Sequence, residues 1–310
     1  MLRKLVLGVL ALGTAISIFA MPDYLYNTEL ARQNAFGLLL AGGVEYYQGD
    51  RAFDGDGNKT LFNDTGTKSD HILVPVKFGF YLPNPQWSWY VTLPIIAQNY
   101  VASTNQVTKH DVGLANPYLV GRWLPALNSD VLIGPRIALR IAGLSKTVLD
   151  SLGNTELPSG DKSWGFDGGF LFAYHPQTNL FRLDGQAGLR YLFPADYKLS
   201  MMGTTLFDYK ETPATSVRGE VAPGLAWANG WVIYAKAYGS FDVTTGKIHN
   251  NTYDMDQNID KTQLYGAGLR QSWEINTADE LGLEFDYDIS GKATEAGWHL
   301  TADYVGYLPM

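Results

Sequence analysis

Nine cationic side chains, Lys77, Arg122, Arg136, Arg140, Arg182, Arg190, Arg218, Lys236 and Arg270, sit at alternate positions within otherwise apolar segments. Four carboxylates, Glu284, Asp286, Asp288 and Asp303, do the same near the end of the chain. Cations on the middle segments and carboxylates on the last two would form opposed walls of charge. One consequence would be a transverse field across a hydrated lumen that orients polar or amphiphilic solutes. The plainer consequence is an arginine–carboxylate network that fills and stiffens the lumen, because charges removed from bulk water need partners. For any single residue the network is the default expectation.

The five histidines, His71, His110, His175, His249 and His299, fall on different segments. His110 beside Asp111 and His299 near Asp303 have the types a rim hydrolase would use as base and orienting acid. Neither pair comes with a recognisable nucleophile motif, so no catalytic residue and no enzyme activity is expected. Asp54, Asp56 and Asn58 offer oxygen atoms at every second position, as the start of a calcium loop does. Lys59 stands at the sixth position, where such a loop needs glycine, and Thr65 stands at the twelfth in place of glutamate. The stretch is therefore expected to be an ordinary Asp-Gly surface loop. With Cys 0, disulfides, lipoprotein acylation and thiolate metal sites do not arise. No zinc cluster, other metal or cofactor is expected. A net charge of -8 offers no basic footprint for nucleic acid.

Alternation with a period of two marks strands that face two environments. In the stretch from Glu280, Leu281, Leu283, Phe285, Tyr287 and Ile289 share one face, and Glu280, Gly282, Glu284, Asp286 and Asp288 the other. Twelve such segments are predicted, beginning with 36–48, 70–82, 87–100, 110–124, 130–144 and 163–175. The remainder are 179–193, 214–228, 231–245, 260–274, 280–291 and 295–308. Their length suits strands that cross a bilayer at a tilt, and it is unusual in soluble sandwiches, the alternative all-β fold.

Tryptophans gather at segment ends, as Trp87, Trp123, Trp227, Trp231 and Trp273 do, where an interfacial girdle would put them. Short turns at 83–86, 125–129, 175–178, 229–230 and 275–279 alternate with longer polar loops at 49–69, 101–109, 145–162, 194–213 and 246–259. A tight final connection lies near Gly291. Short turns on one rim and long loops on the other are the asymmetry of an outer-membrane barrel. The expected fold is all-β, a transmembrane antiparallel up-and-down barrel of about 12 strands, with both termini on the periplasmic side.

Arg3 and Lys4 precede an apolar run from Leu5 to about Ala20, the pattern of a secretory signal peptide. Cleavage after Ala20 is favoured over cleavage after Ser17. The expected organisation is a signal peptide over 1–20, a periplasmic leader or short plug segment over 21–35, and a barrel over 36–310. The outer membrane of a Gram-negative bacterium follows as the location. Membrane lipids and the barrel assembly machinery follow as partners, although the chain ends on Met310 rather than on an aromatic residue.

Leu93-Pro94-Ile95-Ile96, followed by Val112-Gly113-Leu114-Ala115-Asn116-Pro117-Tyr118 and on to Trp123-Leu124, resembles a pairing found in the meta-pathway phenol-degradation transporter family. In that family a Leu-Pro strand precedes a Gly-Leu-Gly-Asp strand opener; Ala115 and Asn116 stand here in place of the last two residues. Tyr46-Tyr47 followed by Asp54-Gly55-Asp56-Gly57-Asn58-Lys59 is similar to the first external loop of the family. The leader lacks the family's Pro-rich opening. The resemblance implies passive uptake of small hydrophobic or aromatic solutes, by analogy rather than by derivation. A rim hydrolase and a closed structural barrel stand as the alternatives.

Overall fold

The computed structural model describes residues 37–83, 86–102, 107–125, 127–128, 130–143, 162–176, 180–201, 204–251, 254–275 and 279–309. The signal peptide over 1–20, the leader over 21–35, most of the loop 145–162 and Met310 lie outside the described residues.

The alternating segments form the strands β1 (Gly37–Phe53), β3 (Lys68–Pro83), β4 (Gln86–Ala102), β6 (Tyr118–Trp123), β7 (Val131–Arg140) and β8 (Gly165–Tyr174). They continue as β9 (Phe181–Leu192), β12 (Ser216–Ala226), β13 (Trp231–Asp242), β16 (Gln263–Glu274), β17 (Asp279–Lys292) and β18 (Thr294–Pro309). Each pairs antiparallel with its neighbour in the chain, and β18 returns to pair with β1 from Gly37↔Pro309 to Phe53↔Thr294. These twelve strands close a barrel and leave its wall without a free edge. Two short additions complete the 14-stranded sheet: β2 (Lys59–Leu61) on β1 and β5 (Val107–Leu114) on β4. A single helical turn, α1 (Phe62–Thr65), follows β2.

The direction of the faces excludes a soluble sandwich. On β17 Leu283 is 51% exposed and Ile289 58%, whereas Glu284 is 3% exposed and Asp288 0%. Apolar groups point outward and charged groups inward, the inverse of a water-soluble core and the arrangement of a wall facing lipid. Stacked tryptophan pairs, Trp87–Trp123 at 5.5 Å and Trp231–Trp273 at 5.9 Å, stand on the rim that carries the short turns. Gly37 and Pro309 lie on that same rim: Gly37 pairs with Tyr81, two residues before β3 ends at Pro83. Both ends of the described barrel therefore share one side.

Two expectations need correction. The segment 110–124 is not one strand: it divides into β5 and β6 at Ala115-Asn116-Pro117. Pro117 has no N–H to give a ladder, and Asn116 turns inward, its Nδ2 donating to the Ile141 carbonyl at 3.0 Å. Pro75 and Pro94 stand opposite one another in β3 and β4, and beside Pro75 the β1–β3 pairing lapses between Gly42↔Val76 and Glu45↔Leu73.

The stretches 194–213 and 246–259 are not irregular loops. They fold into β10 (Ala195–Met201), β11 (Thr204–Thr212), β14 (Gly246–Asn250) and β15 (Met255–Ile259), a separate four-stranded sheet in the order β10-β11-β14-β15. Cross-strand neighbours explain the pairing. Asp196, Lys210, His249 and Asp256 align in one row across the four strands, and Tyr197 stacks on Tyr209 at 5.1 Å. Opposite charges and stacked rings on one register step stabilise such a ladder.

Candidate functional site

The inward parity of the wall builds a lumen dense in charge. Lys77, Arg122, Arg136, Arg140, Arg190 and Arg270 are all buried, as are Lys236, Glu284, Asp286, Asp288 and Asp303. Arg182 and Arg218 are half-buried on the same inward parity.

Their partners differ from the expectation of two opposed walls. Arg270 does reach the last strands, gripping Asp303 through two parallel bonds of 2.7 and 2.9 Å and Glu284 at 3.2 Å. Lys236 lies between Glu284 and Asp286. The middle strands, however, carry their own anions. Arg136 donates to Asp167 Oδ1 at 3.2 Å, and Arg190 Nε stands 3.7 Å from Asp167 Oδ2. His175 meets Asp184 at 2.6 Å, and Arg182 donates to Glu274 at 2.8 Å. Cations near the short-turn rim use other partners: Arg122 donates to Ser88 at 2.9 Å and stands over the Tyr90 ring, which Lys77 also approaches at 5.3 Å. Arg140 donates to the Ser163 carbonyl at 3.1 Å. The interior is therefore a mixed-sign network, in which Arg136, Arg182, Arg190, Lys236 and Arg270 meet carboxylates locally instead of facing one acidic wall across the lumen.

A second cluster joins β1, β3, β17 and β18. His299 Nδ1 lies 2.8 Å from Glu45 Oε1 and its Nε2 3.6 Å from Asp288, with Tyr47 stacked between His299 and His71. Tyr47 also donates to Glu295 at 3.2 Å. His299 is thus held by Glu45 and Asp288, whereas Asp303, its suggested partner, belongs to Arg270. His110 stands on β5 opposite Asn99, and its side chain lies outside the described residues. In the first external loop, Asp54 Oδ1 accepts from the backbone of Asp56 and Asn58 at 2.9 and 2.8 Å, and Oδ2 accepts from the Asn58 side chain at 2.9 Å. Both oxygens close a turn, as the Asp-Gly loop expectation requires.

Sequence reasoning passed over the buried acids Glu45, Asp167 and Glu295 and the half-buried Glu220, and with them Tyr238. Their parity was the available signal: Asp167 alternates with Gly165 and Gly169, and Glu220 follows Arg218 by two residues.

A cavity of about 140 Å³ opens among residues of β7, β8, β9, β12, β13, β16, β17 and β18. Asp167, Gln186, Arg218, Glu220, Lys236 and Asp286 give it a polar lining, and Leu171, Leu264 and the Tyr238 ring an apolar one. Glycines on the inner face make the room. A Cβ at Gly268 would overlap the Asp286 carboxylate, and one at Gly266 the Tyr238 ring, so both side chains lie flat against the wall. A shallower concavity of about 350 Å³, lined by Phe181, Pro223, Leu225, Trp227, Ile233 and Leu269, lies on the outward face, where lipid meets the barrel.

No protein-family model and no curated protein matches the sequence. Among solved structures, an outer-membrane channel from Pseudomonas putida F1 is similar at a TM-score of 0.68 and 10% identity, over 89% of this chain and 96% of that one. The translocator domain of the autotransporter NalP from Neisseria meningitidis is similar at 0.52 and 12%, over 95% and 98%. The fold is that of a Gram-negative outer-membrane barrel. At such identities the likeness extends to architecture alone. The outward apolar face and inward charge of this barrel agree with that location, and its long-loop rim, with the added sheet, is the external side of such barrels.

Proposed function

We propose that the protein is a passive channel or facilitator for small hydrophobic or aromatic solutes, working without covalent chemistry or a cofactor. The observation that carries this reading is a closed wall, apolar toward lipid, around an internal cavity with both charged and apolar lining. The likeness to an outer-membrane channel supports passage in general, and the strand and loop motifs from Leu93 to Leu124 and from Tyr46 to Lys59 support the class of cargo. Lumen selectivity would reside in the paired charges, chiefly Arg136–Asp167 and Lys236–Asp286, because both pairs border the cavity. Liposome swelling with the purified full chain tests the reading. Small solutes should enter protein-containing vesicles faster than empty ones; equal rates for every solute would overturn it.

The density of ion pairs in the lumen is the observation that favours a closed structural barrel instead. The same assay separates the two, since a barrel sealed by its own network admits nothing.

A further inference from the structure

We infer that the outward concavity shared by β9, β12, β13 and β16 holds one acyl chain of a phospholipid from the periplasmic leaflet, retained in place while the lipid around the rest of the wall exchanges. The inference rests on the lipid-facing wall and the outer-membrane location, and it is independent of whether the lumen conducts.

The concavity originates at Pro223. Lacking an N–H, Pro223 cannot donate to the ladder, and the β12–β13 pairing lapses beside it, between Val221↔Ala237 and Gly224↔Tyr234. The same register sets Ala235 opposite Pro223, and both are exposed on the outward face. Two short side chains thus form a floor, around which Phe181, Leu225, Ile233 and Leu269 stand exposed. A hollow of about 350 Å³ results. On β17, by contrast, Leu281, Leu283, Phe285 and Tyr287 follow one another on the outward parity with no short side chain between them. Left empty among lipid tails, the hollow would forfeit dispersion contacts along all its sides.

Its lining decides the chemistry of the occupant. No charged, amide or hydroxyl side chain borders it, so a sugar, a headgroup or a peptide backbone would enter with polar groups unpaired. A methylene chain carries none. Lipid tails are as apolar as the wall, so the hydrophobic effect does not favour the site over bulk lipid. Retention comes from packing against the floor and sides, and filling the floor removes it.

Position and direction fit the same occupant. Trp227 forms one end of the hollow. Its backbone N–H donates to the Trp231 carbonyl at 2.8 Å, and Trp231 stacks on Trp273 in the girdle of the short-turn rim. From Trp227 to Pro223 is four residues, roughly 13 Å at ~3.3 Å per residue. At a tilt of ~40° that is about 10 Å of depth, within the ~15 Å of hydrocarbon that belongs to one leaflet. The hollow therefore begins at headgroup level and runs into the tails of the leaflet beside the short turns, as an acyl chain does. That leaflet is the periplasmic one, built of phospholipid.

The test uses the full chain with phosphatidylethanolamine. Native mass spectrometry from mild detergent should show one phospholipid retained per barrel, lost on exhaustive delipidation and restored when phosphatidylethanolamine is added back. In proteoliposomes, phosphatidylethanolamine with a diazirine on its acyl chain should label the segment 223–235 several-fold more than the outward residues of β17. Ala235→Leu fills the floor with an apolar side chain that faces lipid; it should lose the retained lipid and level the labelling. Leu283→Ala, on the smooth face of β17, should change neither. No retained lipid in the wild type, retention unchanged in folded Ala235→Leu, or even labelling around the wall would each overturn the inference. A lipid-free dimer cross-linked through β12 and β13 would also overturn it, by giving the hollow to a second copy of the chain. Should Ala235→Leu fail to fold, the labelling map of the wild type decides.

Discussion

Arg270 shows what a single lumen residue contributes. Its side chain is fully enclosed and bonded to two acids, so Arg270→Met would strand Asp303 and Glu284 as buried carboxylates with reduced compensation. Breaking a buried pair from one side costs about 3–5 kcal/mol. Urea unfolding in lipid vesicles should register a loss of that order, and Arg270→Met with Asp303→Asn should recover part of it. A single variant as stable as the wild type would mean that the network carries no strain when opened. Outside the membrane, Asp54 titrates below its ordinary value because the Asn58 side chain, then the backbone of the turn, hydrogen-bond its charged form. For a carboxylate lowered in this way, the stabilisation is present above its unfolded value of about 3.9 and is lost as the pH falls through the folded one. The protection of the Asn58 amide, taken relative to its intrinsic exchange rate at each pH, should therefore hold at mildly acidic pH and fall only below about 3.9. Protection already lost near neutral pH would contradict the hydrogen-bonded turn.

At the scale of elements, the outward faces can be tested one strand at a time. Leu283→Arg on β17 puts a charge into lipid and should cost about 2–4 kcal/mol if that position lies near the bilayer midplane; a neutral effect would place this face elsewhere. The β10-β11-β14-β15 sheet adds no strand to the barrel wall. Replacing 246–259 by a short turn should leave heat-modifiable gel mobility intact, and its loss would show that the sheet is needed for closure. The twelve wall segments were legible in the sequence because each must satisfy lipid on one side and charge on the other, which enforces strict alternation. The outer sheet was not, because β15, Met255–Ile259, is largely exposed and polar on both faces. With no buried face to impose a period, such strands read as loop. The split at Ala115–Pro117 was hidden for a different reason: the apolar run continues through it, and Pro117 was the sole local mark of a break.

At the scale of the molecule, the wall separates lipid from a charged interior, and the proposed channel function depends on solvent reaching that interior. The lumen was legible as far as its cations, because arginine in an apolar segment stands out. The local acids that pair with them were less visible, since the pairing crosses strands that the sequence does not register against one another. The absence of cysteine, Cys 0, allows the arrangement to be probed at one residue at a time. Ser240 on β13 borders the cavity, whereas Ile233 on the same strand is exposed on the opposite face. In proteoliposomes, Ser240→Cys should react with a small charged thiol reagent, and a fluorophore at Ile233→Cys should be quenched by nitroxide-labelled lipid. The reverse pattern, with lipid quenching at 240 and aqueous reaction at 233, would contradict a lipid-facing wall around a solvent-accessible lumen.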